Sequence, residues 1–155
     1  MSYLKRVLCG FLLILFVFSL CAIPALANDN AEIVEEVIYY EDGSYLVIEL
    51  IVYQSSFSRA TNAAAGAKSG KGYSSDGELL WELIVHGTFT YDGTTATATQ
   101  ASYSYNIYNS AWKLKSAEAY CSGNQAIAEG KFNGGLFLNR STSITLTCSP
   151  TGVLS

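Results

Sequence analysis

From residue 32 onward, branched and aromatic side chains alternate with polar ones at a spacing of two, and turn-forming residues interrupt them at short intervals. Residues 32–41 and 44–53 flank Asp42-Gly43 and predict an N-terminal hairpin over 32–53, because glycine tolerates the positive φ such a turn needs. On its second strand Leu46, Ile48, Leu50 and Val52 share one face, which is wholly aliphatic and therefore the one to bury; Tyr45, Val47, Glu49, Ile51 and Tyr53 take the other. The longest candidate strand, 78–91, follows Asp76-Gly77. It sets Leu79, Trp81, Leu83, Val85, Gly87, Phe89 and Tyr91 against Leu80, Glu82, Ile84, His86, Thr88 and Thr90, with Gly87 expected to mark a bulge or bend. Further strands are predicted at 94–108, 112–121, 125–132 and 136–148, separated by Asp92-Gly93, Asn109-Ser110, Gly123-Asn124 and Asn133-Gly134-Gly135. After the Ser149-Pro150-Thr151-Gly152 turn, Val153-Leu154 adds a short pairing. Residues 54–70, dominated by Ser, Ala, Gly, Thr and Asn, read as a flexible linker with a strand starting near Ala67. About eight strands without an amphipathic helix predict an all-β fold, an antiparallel β-sandwich of immunoglobulin-like architecture. Membership of the antibody class is not expected, since Trp81 and Trp112 both precede Cys121 instead of lying between the cysteines.

The pattern before residue 28 is different. Lys5 and Arg6 open an apolar run at 7–20, Pro24 ends it, and Ala25-Leu26-Ala27 places small residues before Asn28. This is the three-part layout of a secretory signal peptide, predicted as a signal helix over 1–27 with cleavage between Ala27 and Asn28. The apolar core is too short for a good membrane span. Cys9 and Cys21 each follow a leucine, where a lipidated cysteine wants a small residue. The expectation is a single domain over 28–155, secreted and extracellular, released without a stable membrane or wall anchor.

Removal of the leader changes the charge and the cysteine inventory. The remaining 128 residues are enough to bury a core. They hold seven basic and thirteen acidic residues, a net charge of −6, which argues against nucleic acid as a partner because phosphate contacts need clustered Lys and Arg. Glu32, Glu35, Glu36, Glu41, Asp42 and Glu49 crowd the first hairpin and read as a solvated face. Cys121 and Cys148 remain as a pair in an oxidising compartment and predict a disulfide worth about 3–4 kcal/mol, with two separate buried thiols as the alternative. No histidine lies near either, and neither is in a C-x-x-C pair, so zinc is not expected.

The inventory holds little chemistry. His86 is the only histidine and reads as a packed or surface strand residue; no G-x-S-x-G elbow accompanies it. Glycoside hydrolysis needs two carboxylates, and Glu82 with Glu78, Glu118 or Glu129 could supply them, though the spacing does not favour it. No D-x-D-x-D-G calcium loop occurs. The chain is predicted not to be an enzyme and to carry no cofactor or metal. Tyr103 and Tyr105 share a strand face and, with Tyr108, form a candidate aromatic platform for a glycan or an extracellular protein; the competing reading is that these tyrosines simply pack across strands.

The segments Glu41-Asp42-Gly43-Ser44-Tyr45, Ser75-Asp76-Gly77, Leu80-Trp81, Gly87-Thr88-Phe89-Thr90-Tyr91-Asp92-Gly93, Ala101-Ser102-Tyr103-Ser104-Tyr105, Trp112-Lys113 and Thr145-Leu146-Thr147-Cys148-Ser149-Pro150-Thr151-Gly152 occur in one order. In this the chain resembles a family of small secreted all-β proteins of unknown function from Gram-positive gut bacteria. The stretch 124–141 departs from that pattern. The resemblance implies export and a β domain, and no activity. A secreted, non-enzymatic binding or structural module is the expected function. A secreted effector or bacteriocin-like toxin, and a small glycan hydrolase, are the rivals.

Overall fold

The computed structural model describes residues 31–52, 62–135 and 138–155; the expected leader, with Ala25, Ala27 and Asn28, lies outside them. Eight strands follow one another: β1 (Ala31–Tyr39), β2 (Tyr45–Val52), β3 (Ala63–Tyr73), β4 (Leu79–Tyr91), β5 (Ala96–Ile107), β6 (Lys113–Ser122), β7 (Gln125–Asn133) and β8 (Asn139–Thr147). They form an antiparallel five-stranded sheet in the order β1-β2-β3-β4-β5 and an antiparallel three-stranded sheet in the order β6-β7-β8. The two sheets pack as an all-β sandwich. Each sheet is a simple meander, whereas an immunoglobulin domain threads its chain between sheets in Greek-key order. The sandwich is shared with that class; the connectivity is not.

Turn chemistry accounts for the hairpins. At 40–44 the Gly43 amide donates to the Tyr40 carbonyl and the Tyr40 amide to that of Ser44. The same two bonds recur at 74–78 and 149–153. In each the residue before the last is glycine, at φ near +81°, +83° and +85°, the left-handed corner that closes a three-residue hairpin loop. Beyond the last of these turns, Leu154 bridges back to Cys148 as its sequence position predicts.

The core lies between the sheets. Leu46 and Leu50 of β2, Trp81, Leu83, Val85 and Phe89 of β4, Ala126, Ala128 and Phe132 of β7, and Ile144 and Leu146 of β8 are all buried. Trp81 stacks on Phe132 across the gap, with ring centres 4.1 Å apart and planes 12° off parallel. Leu46 and Leu50 of the aliphatic face read on β2 enter this core with Ile48 packed against it, while Glu49 and Ile51 of the other face are buried as well; on β4 the tryptophan face is the one that fills the core.

β3 corrects the reading of 54–70. It begins at Ala63, so residues 63–70 are strand; 53–61 lie outside the described residues. Its small residues are dictated by packing. A Cβ on Gly66 would come within 2.5 Å of Leu154, one on Gly70 within 2.4 Å of Ile144, and one on Gly72 within 2.4 Å of the Trp81 ring. The strand is poor in β-formers because Leu154 and Ile144 from the facing side, and the Trp81 ring of the neighbouring strand, already fill the space their side chains would need. Gly87 serves the same end: an added Cβ would meet Ala126 and Phe89 at 2.8 Å. The register shift falls just after it, between Thr88 and Phe89.

The expected disulfide is not formed; Cys121 and Cys148 are free thiols. The reason is topological. Cys121 is paired with Ala126 on β7, and Ala126 with Leu146 on β8, so a whole strand separates the two cysteines. Two strand spacings amount to about 9–10 Å, beyond the roughly 7 Å over which two Cα atoms can be bridged. Cys148 is buried, which pushes its thiol pKa up, and Cys121 is exposed. The alternative of two buried thiols therefore holds for Cys148 alone.

Candidate functional site

Because both sheets are meanders, the turns β1–β2, β3–β4, β5–β6 and β7–β8 all fall at one end of the sandwich. They enclose a cleft of about 210 Å³. Trp81 and Trp112, each nearly wholly buried and 6.3 Å apart, face it from the core side. Tyr40 adds an aromatic wall, and Tyr45 and Tyr73, like it half-buried, line the rim. Tyr45 and Tyr73 are cross-strand partners whose rings stack at 5.0 Å, and Tyr39 extends the row at 5.6 Å from Tyr45. The parity of strands β1 to β3 places these three tyrosines on the outer face of the five-stranded sheet, opposite Leu46, so their row borders the cleft from outside the core.

One wall is charged. Arg140, second residue of β8, lays its guanidinium over the Tyr40 ring with Cζ 4.6 Å from the ring centre. Its Nη2 donates to Asp42 Oδ2 and, at 3.0 Å, to Ser44 Oγ; its Nη1 donates to the Asn139 carbonyl at 3.4 Å. Asp42 also accepts from the Ser44 hydroxyl at 2.6 Å and the Ser44 amide at 3.2 Å. The hydroxyl bond from Ser44 is the main cause holding its carboxyl below the ordinary value, with Arg140 adding to it. Tyr40 moves the other way: burial raises its phenol, and the nearby Arg140 partly offsets the rise. The first hairpin turn and a residue nearly a hundred positions later thus form one polar unit on an aromatic wall. The cleft offers flat apolar faces beside a carboxylate acceptor, a planar cationic donor and a hydroxyl, a combination suited to binding.

The residues read from the sequence fall elsewhere. Tyr103 and Tyr105 lie opposite Val85 and Leu83 on the core-side face of β5, 38% and 46% exposed at the sheet edge. Tyr108 projects from the other face, where its hydroxyl donates to Glu82 Oε2 at 3.0 Å. The three do not form one platform. Glu82, buried at the outer surface of the five-stranded sheet, also accepts from Asn106 Nδ2 at 2.9 Å. Glu118 and Glu129 are cross-strand partners on the outer face of the other sheet, both exposed, and Tyr120 donates to Glu129 at 2.8 Å. Glu82 is therefore on the far side of the molecule from both. Glu78 sits at the turn end and accepts from Asn109 Nδ2 at 2.8 Å. His86 Nε2 lies 3.0 Å from Ser104 Oγ on the outer face. Among the described residues no group of three or more His, Cys, Asp or Glu could hold a metal, and no helix is long and apolar enough to cross a membrane.

Sequence reading missed Tyr40, Asp42, Ser44 and Arg140 as a unit. The Asp-Gly turn was visible as a turn, but nothing in the chain's order links it to Arg140. Compared with known proteins, the chain matches no family model, no curated protein and no solved structure.

Proposed function

We propose that this protein is an exported, non-enzymatic binding module, and that its ligand occupies the aromatic cleft at the turn end of the sandwich. The observation that carries the reading is the coupling of Arg140 to Tyr40, Asp42 and Ser44 on the wall of that cleft. An Arg–Asp pair on an open surface contributes little to stability. Here it holds donors and an acceptor in a fixed array beside partly exposed rings, the arrangement a recognition site needs. The signal-peptide pattern of residues 1–27 and the acidic charge of 28–155 support an extracellular location and a partner other than nucleic acid.

The test is a binding screen against immobilised glycans and extracellular proteins, run with the wild-type chain, Tyr40→Ala, Arg140→Met and the double variant Tyr103→Ala/Tyr105→Ala. Loss of signal in the first two variants with retention in the third supports the cleft. The reverse pattern would move the site to the β5 edge. Catalytic turnover of a bound glycan, or killing of neighbouring bacteria by the purified protein, would replace the reading with a hydrolase or a toxin.

A further inference from the structure

Accepting that the cleft is the binding site, we infer that it takes a single uncharged sugar residue at the free end of a glycan chain. Three observations lead there. The first is size. At about 210 Å³ the space falls short of the roughly 300–1,000 Å³ that holds a drug-sized ligand, so it admits one ring and not a run of several. The second is position. The cleft lies at the tip of the sandwich between turns, not along a sheet face, so a chain enters it end-on.

The third is charge. Glu41, Asp42, Asp76 and Glu78 stand in the turns at this end, against Arg140 and Lys113. The acidic excess disfavours an anionic ligand. The guanidinium of Arg140 already covers the Tyr40 ring, the place a ligand cation would otherwise take. A neutral ligand remains, and it must match both an apolar face and a fork of polar groups. A pyranose does so: its C–H face covers an aromatic ring, while adjacent hydroxyls donate to Asp42 and to the remaining lone pair of Ser44 Oγ and accept from Arg140.

The inference is tested by titrating the protein with methyl glycosides of glucose, galactose and mannose and with N-acetylglucosamine, following tryptophan fluorescence. Glucuronate, choline, linear oligosaccharides of whichever sugar binds and a ring-closed glucan lacking any chain end complete the set. One neutral monosaccharide should perturb Trp81 and Trp112 fluorescence with one-to-one saturation in the millimolar range, where a ligand of this size belongs. Glucuronate and choline should bind at least tenfold more weakly, and linear oligosaccharides no more than severalfold more tightly than the single residue. The ring-closed glucan should not bind. Arg140→Lys, which keeps the charge but loses the planar fork, should weaken the monosaccharide at least tenfold with an unchanged melting temperature. Ser44→Ala, a milder change, should weaken it severalfold.

Tight binding of oligosaccharides or of the ring-closed glucan with no response to any monosaccharide would overturn the single-residue inference and leave the cleft reading standing. Binding of a peptide or of a charged ligand in the cleft would do the same. Neutral sugar binding that survives both variants and leaves the tryptophans unperturbed would overturn both.

Discussion

Asp92 accepts four hydrogen bonds within the β4–β5 turn: from the amide and hydroxyl of Thr94 at 2.8 and 2.7 Å, and from the amide and hydroxyl of Thr95 at 2.7 and 3.0 Å. The Thr94 hydroxyl bond leads the causes that hold its carboxyl well below the ordinary value. A depressed folded pKa means the ionised form is favoured by folding, so this contribution is present above the unfolded pKa of about 3.9 and is lost as pH falls through the folded pKa. Asp42 acts with the same sign. Thermal melts across an acid series should show the midpoint falling below about pH 4, and Asp92→Asn should flatten that fall while lowering the midpoint near neutrality. An unchanged acid limb in the variant would refute the assignment. Gly72 offers a second single-residue test. Its added Cβ meets three atoms of the Trp81 indole, whose buried position leaves the ring nowhere to go, while at Gly70 the nearest atom is the mobile end of Ile144. Gly72→Ala should cost about 1–3 kcal/mol in denaturant titration, and Gly70→Ala distinctly less.

Strand order decides the state of the thiols. With β7 standing between β6 and β8, a thiol reagent should modify Cys121 in the native protein at once and Cys148 only on unfolding, even after oxidative refolding. Both thiols staying unreactive before reduction would contradict the order of the small sheet. At this scale the sequence was readable in part, for physical reasons that differ from element to element. The faces of β2 and β4 were legible because period-two alternation is a local consequence of the pleat. β3 was obscure because its glycines answer to Ile144, Trp81 and Leu154, none of which is near in the chain except Trp81. The separation of Tyr108 from Tyr103 and Tyr105 escaped the sequence reading because β5 ends at Ile107, and Tyr108, one residue beyond it, turns to Glu82 on the other face. The separation of Cys121 from Cys148 was not legible, because the linear order is equally compatible with adjacent strands. Nor could the site be assembled: its turn residues and Arg140 meet only once the sheets have closed on each other.

For the molecule as a whole, the junction between sheets is the Trp81–Phe132 stack with Trp112 beside it. Phe132→Ala should cost about 3–5 kcal/mol and shift tryptophan emission to the red, because it opens the interlayer core directly beneath the cleft. A loss under about 1 kcal/mol would mean the layers are held elsewhere. β1 has a contrasting role. Its Ile33, Val37, Ile38 and Tyr39 remain 51%, 41%, 37% and 74% exposed, so it adds a hydrogen-bonded edge more than it adds core. The uninterleaved connectivity carries a consequence for how such a chain finds its structure. Every ladder within a sheet joins strands that are consecutive in sequence, so no described strand must wait for a distant segment before it can pair. The entropy lost in closing each ladder is that of a short loop, and the single long-range event is the meeting of two hairpin stacks across the 108–112 connection. Search time is then set by local zippering and one collision, which places this sandwich among the quicker-folding β proteins of its size.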